Sequence, residues 1–117
     1  MTKDELLELA DRCEMEHDIM SSPLDVDIAR AVGVQPIRVF RGGIDADEEW
    51  PPYTTSLDSA VTLVPEGCAW RAGCAIDFTP VAVVFGHDVH ADADASTPAL
   101  ALCAAALRAR ASLTEKG

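Results

Sequence analysis

Residues 81–107 read VAVVFGHDVHADADASTPALALCAAAL, and three patterns follow one another in that stretch. Val81 to Phe85 is a continuous apolar run, which predicts a central strand covered on both faces. Gly86-His87-Asp88 predicts a turn. From Val89 the period becomes two. Val89, Ala91 and Ala93 fall on one side, and His90, Asp92 and Asp94 on the other, as in a half-exposed strand. Ser96-Thr97-Pro98 then opens a helix that runs to about Leu113, with a capping hydroxyl followed by proline at the first helical position. Leu100, Cys103, Ala104, Leu107 and Ala111 form its apolar stripe, and the small alanines permit close packing. Arg108 and Arg110 near its C-terminus suit the helix dipole.

Upstream, Cys68 to Phe78 predicts a partner strand centred on Trp70 to Ile76, with Gly73 as a bulge and Thr79-Pro80 as the turn. Before it, Thr55 or Ser56 caps a short helix that buries Leu57, Ala60, Val61 and Val64 and ends at Pro65-Glu66-Gly67. Residues 42–52, GGIDADEEWPP, read as a loop. Val34 to Phe40 reads as a strand, and Pro36 places it at an edge. Two helices begin the chain. In the first, Thr2 and Glu5 fit a capping box, and Leu6, Leu9, Ala10 and Cys13 recur at helical spacing. In the second, Ser22 caps, Asp25 complements the dipole, Leu24, Ile28 and Val32 form a stripe, and Gly33 stops the helix.

Helices at both ends with strands between predict an α+β fold. The expected form is a helix–sheet–helix (α/β/α) sandwich around a mostly antiparallel sheet of three to four strands. The 117 residues fit one domain, 1–117, with no linker or repeat to divide them.

The formal net charge is −11, and thirteen of the twenty acidic residues fall in the first fifty positions. Such a surface repels phosphate backbones and anionic lipid, so direct nucleic-acid or membrane binding is not expected. It suits a basic partner. The charged N-terminus has no apolar leader, and no apolar run is long enough to span a bilayer. The expectation is a cytoplasmic protein whose four cysteines are free thiols.

Three segments resemble the phage ABA-sandwich family of small phage and prophage proteins. They are Leu24-Asp25-Val26-Asp27-Ile28-Ala29 with Val32-Gly33, then Pro51-Pro52-Tyr53-Thr54-Thr55-Ser56 with Ala60, and the run from Ser96 to Leu107. In the second, Ser56 stands where the family has aspartate. The resemblance implies a helix–sheet–helix sandwich and a phage or prophage source. It brings no catalytic residues or cofactor with it.

Two constellations stand out. The first is acidic: the first helix, with Glu8 and Asp11, and the run Asp45, Asp47, Glu48 and Glu49. Trp50 and Tyr53 beside that run would be aromatic anchors. A charge run of this kind also serves plain solubility. The second is His87, His90, Asp92 and Asp94, whose imidazoles and carboxylates suit zinc or manganese, or else keep a solvated edge strand from aggregating. No nucleophile elbow or phosphate loop occurs. The sequence therefore points to a non-enzymatic, cofactor-free interaction protein of the anti-CRISPR kind. Its acidic face would imitate nucleic-acid charge and block a basic surface on a host defence complex in the host cytoplasm. A metal-dependent small enzyme or binding module using His87–Asp94 and a phage structural or accessory protein are the alternatives.

Overall fold

The helix opened by Thr97-Pro98 lies at the centre of the molecule. In the computed structural model, residues 3–15, 22–34, 37–41, 44–49, 53–54, 56–74, 76–86 and 89–116 are described, with backbone alone for 22–23, 37–41, 44–49 and 114–116. The elements are α1 (Lys3–Met15), α2 (Ser22–Val32), β1 (Ile37–Arg41), β2 (Ile44–Glu49), α3 (Leu57–Val61), β3 (Ala69–Cys74), β4 (Pro80–Gly86), β5 (Val89–Asp94) and α4 (Pro98–Lys116).

The Thr97 hydroxyl accepts from the Leu100 amide at 3.1 Å, so α4 starts where its cap predicts. Every residue from Ala99 to Leu107 is buried. The sequence suggested one apolar stripe, but the helix is enclosed all round, as a helix apolar on every side must be. Alanine makes this possible, because α1, α3 and the sheet each approach its backbone closely. Cys13 and Cys103 are buried where α1 meets α4, and none of the four cysteines is in a disulfide.

β3, β4 and β5 form an antiparallel sheet in that order, with β4 central. The α+β class and the three-stranded antiparallel sheet are as expected. The layering differs, because α4 packs on one face of the sheet and no other described helix covers the opposite face. Ala82 and Val84 are buried beneath α4, while Val81 and Val83 are only half-buried and Phe85 is exposed. The run Val81–Phe85 is thus central but covered on one face. A continuous apolar run cannot distinguish a second covering layer from an open apolar face.

Several local expectations change. β3 ends at Cys74, in unbroken register through Gly73↔Val81, so there is no bulge at Gly73. Residues 42–52 are not all loop. Ile44–Glu49 is strand β2, antiparallel to β1, with Arg38 opposite Glu48 and a register shift between Val39 and Phe40. Acidic residues are poor strand formers, which hid this strand. α3 is a single turn capped by Ser56, whose hydroxyl accepts from Ser59 N at 3.3 Å. Leu57 is exposed and Leu63, beyond the helix, takes the buried place.

Glycine is required at two turns. Gly33 ends α2 at φ +79°. Gly86 has φ +132°, and a Cβ there would lie 3.2 Å from both Cys68 Cα and Gly67 O.

Candidate interaction surface

The outer face of the three-stranded sheet is built by simple alternation. With Ala82, Val84, Val89, Ala91 and Ala93 turned to α4, their neighbours must point away. Register then fixes the rows. Arg71, Val83 and Asp92 lie across one row, Gly73, Val81 and Asp94 across the next, and Ala69, Phe85 and His90 across the third. The face has an apolar centre on β4, a cation on the β3 side, and His90, Asp92 and Asp94 exposed along β5. A shallow depression of about 740 Å3 opens here, lined by Arg71, Val81, Val83, His90 and Asp92, with Glu14 and Arg108 among its borders. Arg71 and Asp92 are two strand spacings apart, roughly 10 Å between backbones, with Val83 between them.

An ionic clasp joins the β5 side of this face to the helices. The Arg108 guanidinium contacts the Glu14 carboxylate, reaches Asp11 at 3.1 Å, and donates to the Asp92 carbonyl at 3.1 Å. The Asp94 amide donates to Glu14 at 3.4 Å. Arg108 holds the Glu14 carboxyl below its ordinary pKa, and Glu14 in turn raises that of Arg108. One arginine of α4 thereby fixes the end of α1 against β5.

At one end of the same sheet, the β3–β4 hairpin presents two apolar side chains to solvent. Ile76 is fully exposed and Phe78 is 86% exposed. Phe78 sits at φ 66°, a conformation that bulky side chains rarely adopt. The Asp77 carboxylate accepts from Thr79 N at 3.1 Å, which fixes the turn and lowers the Asp77 pKa.

The residues singled out in the sequence are distributed unevenly. Asp45, Asp47, Glu48 and Glu49 lie on β2, at register positions facing β1, rather than in a loop. Glu8 is exposed on α1. Asp11 is exposed too, but it serves the Arg108 clasp. Tyr53 is not a surface anchor, because it is 1% exposed. Its carbonyl accepts from the Cys103 thiol at 3.1 Å, and burial raises its phenol pKa. Trp50 and His87 lie outside the described residues.

His90, Asp92 and Asp94 share one side of β5, as the alternation predicted. Yet among the described residues no group of three or more His, Cys, Asp or Glu side chains is placed to hold a metal ion. Consecutive outward positions on a straight strand are spaced along it rather than converging on a point.

Sequence reasoning missed Ile76 and Phe78, which it placed in a strand. The available signal was two large apolar residues interleaved with Asp77 and followed by Thr79-Pro80, a turn composition that has no core to face. It also missed Asp25 as a core residue. That carboxylate is buried and accepts the Thr54 amide at 2.8 Å, tying α2 to the segment before α3.

No helix among the described residues is long and apolar enough to cross a membrane. Comparison with family models, curated proteins and solved structures returns no match for this chain.

Proposed function

We propose that this chain is a non-enzymatic interaction protein that docks by its acidic surface onto a basic, nucleic-acid-binding surface of a host protein or nucleoprotein complex. In biological terms this is an anti-CRISPR-like inhibitor of a host defence complex, carried by a phage or prophage. The observation that carries the reading is the outward placement of the charge. In a chain of net charge −11, Asp4 and Glu8 on α1 and Asp92 and Asp94 on β5 all stand exposed. A surface of this sign imitates the polyanion that a basic groove normally binds, and it accelerates encounter with that groove. The phage source rests on the resemblance of the Leu24–Ala29, Pro51–Ser56 and Ser96–Leu107 segments to the phage ABA-sandwich family.

The test is neutralisation without reversal. Changing Asp45, Asp47, Glu48 and Glu49 together to Asn and Gln keeps the size of the β2 side chains and avoids placing lysines opposite Arg38. If the β2 run belongs to the docking face, capture of the host target falls at least tenfold, a loss of about 1.4 kcal/mol. Unchanged capture and inhibition would remove β2 from the interface.

A further inference from the structure

Among the described residues no element covers the outer face of the β3–β4–β5 sheet, and the docking reading does not by itself say which surface binds what. We propose that this face is a binding site for an extended basic segment of the partner, with lysine or arginine stems lying on Val81 and Val83 and their cationic heads meeting Asp92 and Asp94. The proposal rests on the docking reading and names its ligand chemistry and its place.

Three observations support this occupant. The first is the layout of charge. The apolar floor on β4 is bordered on the β5 side by exposed His90, Asp92 and Asp94, and on the β3 side by Arg71. Long basic side chains lay their methylenes on apolar surface and carry the charge to its edge. One strand spacing, about 4.8 Å, separates the floor from the acidic rim, which a lysine or arginine stem spans. Arg71 repels cations on the other side, so the segment is held toward β5.

The second observation is that the α1 carboxylates beside this rim, Glu14 and Asp11, already accept a guanidinium. Arg108 is held there by Glu14, Asp11 and the Asp92 carbonyl. The third is the hairpin tip. Ile76 and Phe78 stand exposed between Cys74 and Pro80, at the end of the face where Gly73, Val81 and Asp94 lie. A segment seated in the depression brings its own protein body within reach of those two side chains, and their burial adds apolar contact to the charge pairing. A second copy of this chain fits less well, because each copy carries −11 and would set acidic rim near acidic rim.

The experiment is an amide chemical-shift titration of the full chain with the octapeptide acetyl-(Arg-Ala)4-amide, beside acetyl-(Glu-Ala)4-amide. The expected result is saturable shifts confined to residues 69–74, 81–85 and 89–94 with the arginine peptide, and none with the glutamate peptide. The double variant Asp92→Asn/Asp94→Asn, whose own spectrum reports that it is folded, should bind about tenfold more weakly.

Shifts centred instead on α1 or β2 would overturn this site while leaving an acidic docking surface elsewhere. Equal response to both peptides would overturn it, because charge would then not be what the face recognises. Broadening of the same residues with protein concentration alone would overturn it in favour of self-association. The docking reading fails separately, if no basic host protein competes with the arginine peptide for a face that does bind it.

Discussion

Asp25 does more than its helix position requires. Near the start of α2, a carboxylate suits the dipole wherever its side chain points. Here it is buried and accepts the Thr54 amide, so it also fixes the segment that leads into α3. Replacing it with alanine orphans a buried N–H, and Asp25→Ala is expected to cost about 2 kcal/mol by urea denaturation, whereas Asp25→Asn, which keeps an acceptor, costs less. Glu14 gives a pH signature. Its folded pKa lies below the ordinary value of 4.5, with Arg108 as the first cause. Its stabilisation is therefore fully present above pH 4.5 and is lost as pH falls through the lower folded value. Both partners are partly exposed, so solvent screening reduces the effect to about 1 kcal/mol. Glu14→Gln should be less stable than the parent at pH 7, and the gap should close toward pH 3. A gap independent of pH would show that the clasp acts by packing rather than by charge.

Among the elements, legibility followed the strength of the local pattern. The alternation from Val89 to Asp94 gave both the strand and the orientation of its side chains correctly, since His90, Asp92 and Asp94 all face out. The Ser96-Thr97-Pro98 start located α4 to within a residue. β2 was hidden because its residues disfavour a strand, and only pairing with β1 reveals it. The β3–β4 connection is longer than the Thr79-Pro80 turn signal implies, because Ile76 and Phe78 look like strand residues until their partners are known. Their exposure makes a prediction about the hairpin itself. Asparagine tolerates the positive φ that Phe78 adopts, so Phe78→Asn is expected to leave stability unchanged or raise it by up to about 1 kcal/mol. If the tip contacts the partner, the same substitution weakens capture. A clear fall in melting temperature would instead assign Phe78 a structural role.

For the whole molecule, a single alanine-rich helix organises the fold. Because α4 is buried all round from Ala99 to Leu107, it takes the sheet on one side and α1 and α3 elsewhere, and no described helix packs on the sheet's second face. Composition announced the small-residue core but could not announce that layering. The same layering separates roles among the acids. Asp11 and Glu14 hold the structure together through Arg108, while Asp4, Glu8, Asp92 and Asp94 are presented to solvent. Exposed acidic charge is therefore not confined to the first fifty positions, because Asp92 and Asp94 carry it on β5 as well. On the proposed reading, this surface substitutes for nucleic acid on a basic host partner. The most direct measurement is competition: the immobilised chain captures its partner from host lysate, and the complex is challenged with the nucleic acid which that partner binds. Mutually exclusive binding is expected, with the nucleic acid releasing the partner and with association slowing steeply as salt rises. A stable ternary complex, or association indifferent to salt, would contradict it.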